Sequence, residues 1–356
     1  MRLLALTVGD INGIGPEIVL KGIQRMPGNV FLPLLVGPLS VFEGYARRLR
    51  LPMRFQRIDL PRILDWQRAY LSSPHWEIPV VDHWRKVPPV CPGVLSRAAG
   101  RIAFQAIETA VRILQMGVAE AMVTAPVSKR AWHKAGVEFS GQTEMLQHLT
   151  GAPRAGMMLL SPIMRVGLVT IHTPISAVAG TLSRPLVLER FRLFHHALIT
   201  DWRIQRPRLA VLGLNPHAGE GGDIGDEELT ILAPAIRKLQ QEGLEIEGPF
   251  PADGFFARYR PGRQDAVIAI YHDQGLVPLK MTAGGRAVNV TVGLPIVRTS
   301  PGHGTAFDLA GKLTADPRGM IEAIKVAVQI VNNRQASQDN QTLRGGKRKK
   351  TARNRR

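Results

Sequence analysis

Three times between residues 166 and 272 a short apolar run ends and a histidine stands at or just past its end. Residues 166–171 precede His172, residues 209–214 run through Asn215 and Pro216 into His217, and residues 266–271 precede His272. Runs of this length, separated by helical stretches, read as the strands of an α/β sheet. In such sheets the carboxyl ends of the strands converge on the ligand crevice. Side chains 45 and 55 positions apart can therefore meet in space. Three imidazoles with open positions left over make a divalent-metal site of the catalytic kind, while each histidine taken singly is an ordinary hydrogen-bonded loop residue. Both readings stand on the residues alone.

The densest chemistry follows the third histidine. Residues 271–311 carry His272, the acid Asp273, the cations Lys280, Arg286 and Arg298, the amide Asn289 and a glycine-rich turn at Gly302 and Gly304. That set suits a small anionic substrate. A strand is expected at 288–292. Near the amino terminus a strand at 3–8 leads into Gly9, Gly13 and Gly15, then Pro16 and Glu17, which open a helix. The glycine spacing misses the dinucleotide fingerprint, so a structural turn and a ligand loop are equally good readings. Apolar spacing predicts a long helix at 96–116 and a strand at 121–123, after which Thr124, Lys129, Gln142, Thr143 and Glu144 stand at element ends, as caps or as site residues. Asp253 lies beside aromatics, which can raise a carboxyl pKa and suit it to proton transfer, although a helix cap is the default. Residues 54–92 are Pro-rich and read as irregular.

Composition bounds the class. A 356-residue chain with 45% hydrophobic content can bury a full core. Its charge of +18 is uneven: from Arg334 to Arg356 nine Lys or Arg face one Asp, so +8 lies in the tail and +10 in the body. The tail has too little apolar surface to offset ordering, so we divide the chain into a body at 1–333, two α/β lobes or one large one, and a disordered basic tail at 334–356. The tail could contact nucleic acid, but a solvated extension is favoured. A single cysteine, Cys91, fits a reducing compartment, and no stretch approaches the ~20 apolar residues of a membrane span, so the expected location is cytoplasmic.

Read in order, TVGDINGIGPEI, TAPVSKRAW, FSGQTE, GLNPHAGEGG, PADGFF, YHDQGLVPLK, VNVTVGLPIVRTS and HGTAFDLAG resemble the 4-hydroxythreonine-4-phosphate dehydrogenase family of vitamin B6 synthesis, from about residue 3 to 330. The first and last motifs also resemble the wider isocitrate and isopropylmalate dehydrogenase superfamily. The resemblance implies a two-lobed α/β/α, non-Rossmann fold for a catalytic unit at 1–333, with the active site in the cleft between the lobes, and a homodimer. It implies that His172, His217 and His272 bind one divalent ion (Zn, Mg, Co or Mn) shared across the dimer interface. Gln142, Thr143, Lys280, Asn289 and Arg298 fall on substrate positions, and His303, Gly304, Thr305 and Asp308 face NAD or NADP. Asp253 and Lys280 are the candidates for catalysis. The implied reaction is oxidation and decarboxylation of 4-phosphohydroxy-L-threonine to 3-amino-2-oxopropyl phosphate and CO2. Gln142 departs from the family's histidine, which keeps a D-threonate or D-erythronate 4-phosphate dehydrogenase as the alternative. An inactive homologue binding nucleic acid through its tail is a weaker one.

Overall fold

The computed structural model describes the backbone of residues 1–72 and 77–353. Among them, twelve strands form one continuous sheet: β1 Arg2–Thr7, β2 Phe31–Val36, β3 Phe55–Ile58, β4 Ile78–Val81, β5 Ala121–Thr124, β6 Gly156–Leu160, β7 Arg165–Leu168, β8 Arg208–Leu212, β9 Glu245–Phe250, β10 Ala266–Ala269, β11 Val288–Val292 and β12 Val297–Pro301. Their order is β3-β4-β2-β1-β5-β12-β11-β6-β7-β10-β8-β9. The first six are parallel, β11 and β6 pair antiparallel in the middle, and β7, β10, β8 and β9 are parallel again. The mixed centre is incompatible with a Rossmann sheet, as the glycine spacing implied. Helices flank the sheet, completing the α/β architecture.

Most expected elements are present within a few residues. The helix expected at 96–116 is Arg97–Gln115, whose Ser96 cap accepts from the Ala99 amide at 3.4 Å. The region 54–92 is a correction: it holds β3, β4 and the helix Ile63–Ser72, because Pro79 lies within β4, in a run whose neighbours Val80 and Val81 are buried. β7, β10 and β8 lie side by side, so the chain leaves toward His172, His272 and His217 from one edge. That edge is stapled. Gln274 accepts from the Ile270 amide (2.7 Å) and donates to the Gly213 carbonyl (2.6 Å), while Thr170 donates to the Ile270 carbonyl (2.8 Å). Gly275 allows the helix His272–Ala283 to lie close on β7, since a Cβ there would stand 2.5 Å from Val166. Close approach brings His272 beside His172. A separate apolar cluster, including Val166, Leu168, Val267, Leu276 and Leu279, fills the space beneath that helix.

The last helix, Arg318–Arg353, runs through the boundary drawn at 333. Its first part packs on the body, and Arg334 is tied there by Asp201, which is buried, at 2.6 Å. Beyond Arg334 the helix continues to Arg353. Gln, Ala, Arg and Lys are good helix formers even where no apolar stripe anchors them; residues 354–356 lie outside the described ones.

Candidate active site

β5, β11 and β12 meet where the sheet changes direction, and Arg298 points its side chain into that junction. It is 1% exposed. Its guanidinium donates to Thr124 Oγ1 (3.1 and 2.7 Å), Thr291 Oγ1 (3.0 Å) and Gln142 Oε1 (2.7 Å), and none of these carries a charge. Burial lowers its pKa to about 9, so it remains a cation at neutral pH. A buried charge without a counter-ion is costly, and an anionic ligand removes the cost. Gln142 opens the helix Gln142–Thr150 and is aligned by Arg298; the next residue, Thr143, is buried with its hydroxyl unpartnered. On β11 the Asn289 Oδ1 is likewise buried without a partner. Such orphaned polar atoms are rare in a folded interior and mark a place where a ligand completes the hydrogen bonding.

These side chains line a cavity of 280 Å³ together with Lys129, His172, His272, Lys280, His303 and Gly304. All five residues assigned to substrate are therefore brought together, as are two of the three metal candidates. The ring centroids of His172 and His272 are 6.1 Å apart. His272 Nδ1 donates to Asp273 Oδ1 at 2.6 Å, a contact that orients the ring. Lys129 Nζ donates to His172 Nε2 at 3.1 Å. Desolvation, the Lys129 cation and His272 together lower the His172 pKa, and Glu144 opposes them. Desolvation likewise lowers that of Lys129. Burial and its cationic neighbour thus favour the neutral, ligating form of His172. Lys129 was named in the sequence only as a cap or site residue, and the pocket settles that it lines the site.

Other candidates lie elsewhere in the chain. His217 is exposed in the turn Pro216–Gly222 and does not line the cavity. Among the described residues, no group of three or more His, Cys, Asp or Glu is placed to hold a metal ion. Asp253 is exposed in the first turn of the helix Ala252–Ala257, which packs on the His217 turn. Thr305 and Asp308 lie beyond the pocket lining, behind His303 and Gly304. The amino-terminal glycine turn is buried against this loop, where the Ile14 amide donates to the Thr305 carbonyl at 3.0 Å. Of its two readings, the structural one is realised, and Glu17 does more than complement a helix end: it is buried and accepts from Lys21 (2.6 Å) and from the Ala315 amide (2.8 Å).

Fold and pocket define an α/β enzyme built for a small anionic metabolite. The model of the family "Pyridoxal phosphate biosynthetic protein PdxA" matches residues 30–327, and the chain belongs to that family. It is 40% identical to 4-hydroxythreonine-4-phosphate dehydrogenase of Prosthecochloris aestuarii over 340 residues, covering 94% of this chain and 98% of the relative. It is 39% identical, over 94% of its length and 99% of the other's, to a provisionally named D-threonate 4-phosphate dehydrogenase of Bradyrhizobium diazoefficiens. The crystal structure of 4-hydroxythreonine-4-phosphate dehydrogenase from Klebsiella pneumoniae superposes with a TM-score of 0.78 at 34% identity, over 93% of this chain and 98% of that one.

Proposed function

We propose that the chain oxidises and decarboxylates 4-phosphohydroxy-L-threonine to 3-amino-2-oxopropyl phosphate and CO2, with NAD or NADP as oxidant and a divalent ion. The observation that carries the reading is the buried Arg298 guanidinium, without a carboxylate, beside the orphaned Thr143 and Asn289 atoms. Arg298 and Lys280 take the phosphate, the first through the one guanidinium N–H not given to Thr124, Thr291 or Gln142 and the second as a point charge. Thr143 and Asn289 orient the amino acid backbone of the substrate. A dinucleotide held here would supply the hydride acceptor for the carbon bearing the hydroxyl, and a divalent ion would supply Lewis-acid polarisation at that carbon's oxygen. The hydroxyl proton leaves, the resulting 3-oxo acid loses CO2, and the carbon that held the carboxylate takes a proton. Lys280, in the pocket, and Asp253 are the groups to carry those protons.

Two imidazoles from one chain suit a divalent ion, but they do not complete its coordination. We infer that a second copy supplies His217, with Asp253 alongside it. Large apolar side chains stand exposed beside the histidine-bearing segments: Ile175 (75% exposed) and Met281 (81% exposed), with Ile224 and Leu229 flanking the His217 turn. Exposed apolar surface of that kind marks an interface. His303 and Gly304, at the pocket, and Thr305 and Asp308 behind them would hold the dinucleotide. No helix among the described residues is long and apolar enough to cross a membrane, and a cytoplasmic location belongs to the same reading.

Gln142 favours keeping one second reading, a D-threonate or D-erythronate 4-phosphate substrate, because its amide cannot exchange protons. The test is a panel of the three phosphates with NAD and NADP under defined divalent ions. NADH formation fastest with 4-phosphohydroxy-L-threonine supports the first reading. A higher kcat/KM on either sugar-acid phosphate overturns it in favour of the second.

A further inference from the structure

The turn that carries His217 is built against backbone preference. Five consecutive residues, His217 to Gly221, lie in the left-handed region, and three of them bear side chains: His217 (φ 53°), Ala218 (φ 53°) and Glu220 (φ 43°). L-residues adopt that region singly and at a cost, so a run of them persists only where the surroundings over-determine it.

One carboxylate does most of the determining. Glu228 is 2% exposed. Its Oε1 accepts from the Asn215 backbone amide at 2.8 Å, and its Oε2 accepts from the Asn215 side-chain amide at 2.9 Å. The same Asn215 nitrogen donates to Glu227 Oε2 at 2.7 Å. The Asn215 carbonyl accepts in turn from the Ala218 amide at 3.1 Å, which closes the first left-handed bend. Room for the carboxylate comes from Gly219: a Cβ there would lie 2.8 Å from Glu228 Oε2. Both the backbone and the side chain of Asn215, two residues before the histidine, are thus held by one buried acid that does not line the cavity.

We propose that Glu228, acting through Asn215, is a positioning residue for His217. It holds the left-handed turn so that the imidazole is presented outward, to the His172 and His272 pair of a second copy. This rests on the metal reading given above, and the test separates the two.

The full chain is titrated with Co2+, reading affinity and the visible d–d absorption that reports ligand number and geometry. Compared with wild type, Glu228→Gln, which keeps the shape but sets an amide against an amide, binds Co2+ ~10- to 100-fold more weakly, the range seen when a group that orients a ligand is removed. Its d–d spectrum moves toward that of His217→Ala. Adding Ala218→Gly to Glu228→Gln recovers part of the affinity, because glycine adopts positive φ freely; a general loss of packing would not be rescued in this way. Asn215→Ala gives a smaller weakening of the same kind and serves if Glu228→Gln does not fold. Wild-type affinity and spectrum in Glu228→Gln and Asn215→Ala, with His217→Ala weakened, overturn the positioning role alone. Unchanged affinity in His217→Ala overturns the metal reading, and this inference with it.

Discussion

Arg298→Met separates stability from function. The arginine is fully buried, and the lowering of its pKa to about 9 means that burial disfavours the cation by about 5 kcal/mol at neutral pH. Its four hydrogen bonds to Thr124, Thr291 and Gln142 have a charged donor but neutral acceptors and return about 1.5 kcal/mol each, the low end for a charged group. The two totals nearly cancel. Methionine fills most of the volume and adds roughly 1.5–3 kcal/mol of apolar burial, set against hydroxyls left without a donor. The unliganded variant should therefore melt within ~3 °C of wild type, since about 1 kcal/mol moves a chain of this size by that much or less. Turnover behaves differently. The one remaining N–H makes a charge-assisted hydrogen bond to the phosphate worth about 1.5–3 kcal/mol, so kcat/KM should fall roughly 10- to 100-fold. Inorganic phosphate should raise the melting temperature of wild type but not of the variant. Calorimetry and steady-state kinetics on the same preparations decide the matter. A fall of more than ~10 °C in the melting temperature would make Arg298 structural cement, and kcat/KM within threefold of wild type would place the anion site elsewhere.

Three further outcomes follow from the site and its surroundings. Gln142→His places a group titrating near 6.5 against Arg298; it should shift the preference between 4-phosphohydroxy-L-threonine and D-threonate 4-phosphate by roughly 10-fold or more and add an acidic limb to the pH profile, and an unchanged ratio and profile would remove Gln142 from specificity. Asp10, whose carboxyl is raised to about 6 by burial against its Asn12 hydrogen bond, is the pH prediction. Because the folded pKa exceeds the unfolded one, folding is favoured at low pH and loses about 3 kcal/mol as pH rises from ~4 through ~6. Asp10→Asn should accordingly gain stability over wild type at pH 8 but not at pH 4, and equal gains at both would refute the burial argument. If the ion is shared between copies, His172→Ala and His217→Ala are each inactive, yet mixing them under subunit exchange should restore about a quarter of wild-type activity, because each mixed dimer holds one intact site. Mixtures with no activity would place the ligands within one subunit.

The fold was legible where periodicity is strong and the run apolar. The helix Arg97–Gln115 buries one face at helical spacing, and β7, β8 and β10 are short continuous apolar runs, so their types follow from pattern alone. β12 was not, because its buried Arg298 interrupts the apolar run that marks a central strand, and every residue of that strand is nonetheless buried. β3 and β4 were hidden by neighbouring prolines. The substrate residues were legible for a different reason: buried cations and amides at element ends have few roles outside a site, and the resemblance of whole motifs assigned them together. Lys129 was legible only as a cap or a site residue until it stands 3.1 Å from His172, and Thr291 was not legible, since a threonine in a strand looks ordinary until it stands 3.0 Å from Arg298.

The three histidines show where local reasoning stops. Strand order places their segments at one edge of the sheet, which is what the repeated pattern of strand and histidine predicts. What separates His217 is the direction the chain takes afterwards. His272 begins a helix that Gly275 holds down against β7, whereas His217 enters a run of left-handed residues that turns it out to solvent beside Ile224 and Leu229. Nothing in the letters of NPHAGEGG announces positive φ at a histidine, an alanine and a glutamate; the preference of each residue is the opposite. A backbone held in that way, carrying an imidazole away from the pocket of its own chain and toward exposed apolar surface, makes structural sense if the surface is covered and the imidazole is used there. A second copy meets both conditions at once, which is why the metal reading and the dimer reading stand or fall on the same mixing experiment.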